Sequence, residues 1–156
     1  PMSIIDTVIK VNDKRKASMV DRIVKACGGS VEGKTLAILG LTFKPGTDDM
    51  RDAPSLVIIP GLQALGANIR AYDPEGMEEA KGMFKDIELC DDAYHAMTGA
   101  DAAVILTEWN EFRALNLKRV VETLSSNTLV DLRNIYPLDE VQNLDYHSIG
   151  RPNQPK

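Results

Sequence analysis

Hydrophobic periodicity divides the chain into one long helical stretch and a series of short apolar runs. From residue 3 to 27 apolar positions recur at helical spacing. Ile5, Val8 and Ile9 share a face with Asn12, and Met19, Val20, Ile23, Val24 and Cys27 continue the stripe. Ser3, with Asp6 three residues later, makes a variant of an N-terminal capping signature, and Gly28-Gly29 supplies the stop. A polar knot, Asn12-Asp13-Lys14-Arg15-Lys16, interrupts the stripe. Two readings stay open: a packed helix with a solvated charged turn, or a connector or dimer helix whose stripe needs a further surface.

From Lys34 onward strands alternate with helices. Strands are expected at residues 35–39, 68–72, 87–89, 102–106 and 128–130, with a weak edge strand at 145–149. Helices are expected at 54–65, at 76–84, from Asp91 or Asp92 to Met97, and in segments that follow residues 107–110 and run to about Leu124. Pro54 suits a first helical turn, whereas Pro60 inside the same run should kink or break it. Residues 151–156, with two prolines, read as a frayed tail. The alternation predicts an α/β fold: a Rossmann-like, mostly parallel sheet with helices on both faces, preceded by a long N-terminal connector helix. It leaves strand order open.

Composition narrows the class. The chain has 156 residues, 44% of them hydrophobic and 26% charged, as in an ordinary globular domain. A net charge of -5 and a pI near 5.0 argue against nucleic acid as a partner. No apolar run approaches the ~20 residues of a membrane span, and no signal-peptide pattern opens the chain, so a cytoplasmic, reduced setting is expected. The start at Pro1, directly before an amphipathic pattern, suggests a piece of a longer protein.

The richest stretch for chemistry is Gly40-Leu41-Thr42-Phe43-Lys44-Pro45-Gly46-Thr47-Asp48-Asp49-Met50-Arg51, a polar loop between a buried strand and a helix start. That is where open α/β sheets bind ligands. Neither a Gly-x-Gly-x-x-Gly fingerprint nor a Walker loop is present. Lys44 and Arg51 can still meet phosphate oxygens, while Asp48 and Asp49 can hold those cations or cap the next helix. Asp73 closes the second strand where a dinucleotide fold places the acid for a ribose hydroxyl, although a strand-end Asp before Pro is more often a turn residue. Arg133 follows a later strand and should project from the same sheet edge as the opening loop. Its plain alternative is a surface pair with Asp131. Two arginines and a lysine at one edge favour an anionic, nucleotide-sized ligand. His95 and His147 have no partner at metal spacing, and Cys27 and Cys90 lie far apart without a redox or metal pattern. No metal site and no catalytic residue set is expected.

The run from Gly40 to Ser55 closely resembles the C-terminal domain of the UDP-glucose/GDP-mannose dehydrogenase family. The resemblance continues through Ala71-Tyr72-Asp73-Pro74, Thr107-Glu108-Trp109-Asn110-Glu111-Phe112, Asp131-Leu132-Arg133-Asn134-Ile135-Tyr136 and Ser148-Ile149-Gly150-Arg151. Val11-Asn12-Asp13 resembles the end of the central helix joining the family's two domains. The resemblance implies a division into residues 1–29 (part of a connector and dimerisation helix), 30–151 (a UDP-sugar-binding domain) and 152–156 (a tail). It implies an enzyme that oxidises a sugar C6 alcohol to a carboxylate in two steps, reducing two NAD. Phe43, Lys44 and Arg133 would contact the sugar nucleotide, and Arg51 would reach the NAD cofactor across a domain interface. The implied partners are UDP-glucose, an N-terminal NAD domain of the same protein, and a second copy through the N-terminal helix. The family's catalytic cysteine stands in a glycine-rich loop, a context that neither Cys27 nor Cys90 shares, so this stretch alone is not expected to turn over. Its motifs look most like those of bacterial members acting on UDP-glucose; GDP-mannose and UDP-N-acetyl-hexosamine members stay open.

Overall fold

A computed structural model describes residues 4–150, without the side chains of residues 5–13. The Ser3 cap, the 5-8-9-12 face and the 151–156 tail therefore lie outside the described residues. Helix α1 (Ile4–Ala26) leads into β1 (Thr35–Leu39), α2 (Ser55–Ala64), β2 (Asn68–Tyr72), α3 (Met77–Ala80) and β3 (Ile87–Leu89). Then follow α4 (Ala93–Met97), β4 (Ala102–Ile105), α5 (Asn110–Arg113), α6 (Leu117–Thr123), β5 (Thr128–Asp131) and β6 (Asp145–Ser148). Six strands among the described residues form one sheet in the order β3-β2-β1-β4-β5-β6, with every pairing parallel. This is the doubly wound order, in which the winding reverses between β1 and β4.

The two central strands, β1 and β4, are apolar at every position but Thr35 because both faces are covered. Side chains alternate across the sheet. Leu36, Ile38, Ile69, Val104 and Val130 face one core with α1 and α2; Ala37, Leu39, Ala103, Ile105 and Leu129 face the other with α4, α5 and α6. The C-terminal half of α1 thus packs on the sheet's core. Val20, Ile23 and Ala26 are buried, and Met19, Val24 and Cys27 pack against the same core. An Ile23→Ala substitution removes a fully buried side chain and should cost about 2–5 kcal/mol, read as a lowered urea midpoint.

Two details depart from the sequence pattern. Helix α2 runs on through Pro60: the proline lies exposed, and burial of Ile58, Ile59 and Leu62 outweighs the one backbone hydrogen bond that it cannot make. Helix α3 is a single turn, ending well before Phe84.

Candidate functional site

Register defines the working edge. Tyr72, Leu39, Ile105, Asp131 and Ser148 pair across five adjacent strands and form one row at the carboxyl ends. The loops that follow this row carry Asp73, Gly40 to Arg51, Thr107 to Trp109, and Arg133.

The crevice at the winding reversal is closed. Gly40 adopts φ +99, and a Cβ built on it would lie 2.6 Å from the Thr107 Cβ, so glycine is needed on both conformational and steric grounds. The Thr107 hydroxyl donates to the Thr42 carbonyl at 2.9 Å, joining the β1 loop to the β4 end. Beside it, Ser55 donates to the Leu41 carbonyl at 2.7 Å.

Asp73 is completely buried and is the acceptor around which the β1 loop is built. Its Oδ2 accepts from the amides of Leu41 (2.7 Å) and Thr42 (3.1 Å), the Thr42 hydroxyl (3.1 Å) and the Trp109 indole (3.3 Å). Its Oδ1 accepts from the amides of Glu75 (2.9 Å) and Gly76 (2.7 Å). A carboxylate so occupied has no capacity for a ribose hydroxyl. Asp73 is the turn residue that its place before Pro74 suggests, with a longer reach than a turn requires. The ordinary dinucleotide seat of this fold therefore does not fit NAD here: it lacks the glycine fingerprint, its crevice is filled and its acid is taken.

Asp131 has the matching role at the other side of the edge. It is fully buried, and its Oδ1 accepts from the Arg133 amide at 3.0 Å. Its Oδ2 accepts from the amides of Ile135 (2.8 Å) and Tyr136 (3.3 Å) and from the Tyr146 hydroxyl. The expected alternative of a surface Arg133–Asp131 pair is thus incorrect, because the carboxylate is consumed by the turn beneath the arginine. Asn134, at φ +55, stitches that turn to β6 by exchanging two hydrogen bonds with Ile149.

The candidate ligand-binding side chains stand on these two braced loops. Phe43 is 49% exposed and Lys44 is exposed. The Phe43 amide donates to the Asp49 carbonyl at 2.8 Å and closes the loop behind them. Arg133 turns its Nε to Glu108. Glu108 adjoins Thr107, and Thr107 is bonded to Thr42, so Arg133 and the Phe43-Lys44 pair are linked by one short run of contacts.

Arg51 lies further along the same loop. It is almost fully exposed and is held by Asp49 through Nε–Oδ1 at 3.0 Å and Nη2–Oδ2 at 3.1 Å. These hydrogen bonds keep the Asp49 carboxyl below its usual range. Arg51 borders an open cleft whose lining includes Thr47, Glu79 and Met83. Lys16 of α1 donates to the Asp52 carbonyl at 3.1 Å and ties the long helix to this loop.

Burial pushes the thiols of Cys27 and Cys90 up, away from reactive thiolate. The fold brings Glu88, Cys90 and His95 together, with donor atoms within 4.8 Å of one another, which their spacing did not suggest. A cation is already there: Arg70 Nε lies 2.7 Å from Glu88 Oε2, and its terminal nitrogens donate to the carbonyls of Thr98 and His95. His147 pairs with Asp145 at 3.0 Å on the edge strand.

Sequence reasoning noted Glu108 only as part of a motif. A carboxylate just beyond an apolar strand was the available signal, but its partner follows from β4 and β5 being neighbours.

Residues 37–138 match the model of the UDP binding domain of the UDP-glucose/GDP-mannose dehydrogenase family. Among curated proteins, the chain is 49% identical over 154 residues to a UDP-glucose 6-dehydrogenase of Rhizobium meliloti, covering 97% of this chain and 35% of that protein. It is 43% identical over 155 residues to UDP-glucose 6-dehydrogenase TuaD of Bacillus subtilis, covering 97% of this chain and 33% of that one. The chain spans about a third of the length of these curated relatives. Among solved structures, an NDP-N-acetyl-D-galactosaminuronic acid dehydrogenase from Methanosarcina mazei superposes with a TM-score of 0.83 at 26% identity, over 97% of this chain and 32% of that one. The sheet order, the loop at its working edge and these matches lead to one statement: the chain belongs to the UDP-glucose/GDP-mannose dehydrogenase family.

Proposed function

We propose that this chain is the sugar-nucleotide-binding portion of an NAD-dependent UDP-glucose 6-dehydrogenase, acting in the cytoplasm. The whole enzyme oxidises the C6 alcohol of UDP-glucose to the carboxylate in two steps, and two NAD are reduced. On this reading residues 1–29 belong to a connector and dimerisation helix, 30–151 to the UDP-sugar domain and 152–156 to a tail. NAD and the catalytic cysteine loop belong to the N-terminal part of the full-length protein, and Arg51 is this chain's contact to the cofactor across the domain interface.

The observation that carries the reading is the linkage of Arg133 to Phe43-Lys44 along one sheet edge. Two strand spacings, about 10 Å, separate the ends of β1 and β5. Side chains from both ends can converge on a nucleoside diphosphate across that gap, Arg133 as a fork, Lys44 as a point charge and Phe43 as an apolar face. The closed crevice and saturated Asp73 favour this role over a dinucleotide site.

The test is calorimetric titration of this chain with UDP-glucose, GDP-mannose and NAD separately at low salt. Weak binding of UDP-glucose alone is expected. In the full-length enzyme, Lys44→Ala and Arg133→Ala should each weaken sugar-nucleotide binding by about 1.5–3 kcal/mol, the scale of hydrogen bonds to charged groups. Unchanged affinity in both variants would refute the site. Tight NAD binding, with reduction on adding the sugar nucleotide, would mean a self-contained enzyme.

A second reading, a stand-alone nucleotide-binding module, draws on the burial of α1 from Val20 onward within this domain. It predicts UDP-glucose affinity that does not increase when the N-terminal domain is joined. The same domain of a GDP-mannose or UDP-N-acetyl-hexosamine dehydrogenase is distinguished by which sugar nucleotide binds.

A further inference from the structure

We infer that Glu108 is a positioning residue that holds the Arg133 guanidinium in a ligand-ready orientation. The inference rests on the reading of Arg133 as a contact to an anionic nucleotide. Glu108 engages Nε, the inner nitrogen of the guanidinium. Among the described residues the guanidinium makes no other hydrogen bond or ion pair, so its two terminal nitrogens remain available as a fork.

The carboxylate itself is well placed to steer. Its side chain is 24% exposed against 39% for Arg133, so the carboxylate sits in the less exposed position. The neighbouring Thr107 is locked to Thr42 by its hydroxyl and packed against Gly40. The Arg133 amide is meanwhile held by Asp131. Both ends of the pair are thus anchored to buried structure. A long, rotamer-rich side chain loses its freedom before ligand arrives, and the loss is not charged against binding. Had Glu108 taken the terminal nitrogens instead, it would compete with an anionic ligand. Through Nε it orients without occupying the fork.

The experiment is titration of this chain with UDP-glucose for the parent, Glu108→Ala, Glu108→Gln, Arg133→Ala and the double variant Glu108→Ala/Arg133→Ala, with thermal midpoints measured alongside. Glu108→Ala should weaken binding about tenfold, within the range of coupling between contacting residues. Glu108→Gln, whose amide oxygen still accepts from Nε, should recover most of that loss. In the Arg133→Ala background, Glu108→Ala should have no weakening effect. Equal weakening in both backgrounds would mean a merely structural role and overturn the inference. Unchanged or tighter binding in Glu108→Ala would overturn it as well, the latter marking Glu108 as a competing counter-ion. If Glu108→Ala does not fold, Glu108→Asp, which withdraws the carboxylate by one methylene, takes its place in the cycle with the same expected sign. Should Arg133→Ala bind as well as the parent, the premise that Arg133 contacts the nucleotide fails; should the parent not bind at all, the expected binding of UDP-glucose by this chain fails. Either result is distinct from a failure of Glu108 alone.

Discussion

Replacing Asp73 with alanine should lower the stability of the domain by about 3–5 kcal/mol, because it strands several buried donors at once. Six donors converge on this carboxylate, four on Oδ2 and two on Oδ1. Alanine removes the acceptor of the buried Leu41, Thr42 and Gly76 amides, while the Thr42 hydroxyl keeps the Lys44 carbonyl at 3.3 Å, and each buried group left unsatisfied costs about 1–3 kcal/mol before relaxation. Asp73→Asn should be intermediate, because one oxygen remains while the amide nitrogen meets other donors. The chain's single tryptophan is one of the six donors, so Trp109 emission reports the loss directly. Urea unfolding followed by that emission should show a lower midpoint and an altered folded-state signal. A variant with the parent's midpoint would mean that the β1 loop is held by its other contacts, those with Thr107 and Ser55 among them.

Asp131→Ala should be comparably damaging, at about 3–5 kcal/mol, and should also weaken sugar-nucleotide binding. Its carboxylate collects the amides of Arg133, Ile135 and Tyr136 and the Tyr146 hydroxyl, so its loss frees the turn that presents Arg133. Burial, and then the charge of Asp131, pushes the Tyr136 phenol up, in keeping with a tightly enclosed turn. Amide hydrogen exchange is the discriminating measurement. Protection of Ile135 and Tyr136 should fall in the variant, while that of Leu36 to Leu39 in the central strand should fall only as far as global stability does. Retained protection at Ile135 would place the brace elsewhere.

Much of the architecture was legible from the chain. The runs at 35–39 and 102–106 are apolar at every position but Thr35, which matches strands buried on both faces; β4 ends one residue earlier, at Ile105. Asp91 or Asp92 and then Gly99 marked the ends of α4, and of the two it is Asp92 that accepts the His95 amide, at 2.8 Å. What stayed hidden is non-local. Asp73 could be read as a turn residue from Pro74 beside it, but its grip on Leu41 and Thr42, some thirty residues earlier, depends on β1 and β2 pairing in register. The Glu108 partner of Arg133 stayed hidden for the same reason. Asp131 is two residues away in sequence, yet the strand order brings Glu108 to the side chain. Pro60 misled because propensity describes an isolated helix, and α2 is held by its buried face.

The closed crevice between Gly40 and Thr107 separates scaffold from specificity. In a fold that seats its ligand on backbone amides inside such a crevice, a change of ligand demands a change of backbone. Here the candidate contacts are exposed side chains on loops clamped from beneath by two buried carboxylates. Phe43, Lys44 and Arg133 can then be exchanged with little effect on the core, so preference for one nucleotide over another is open to redesign by a few surface substitutions on an unaltered frame.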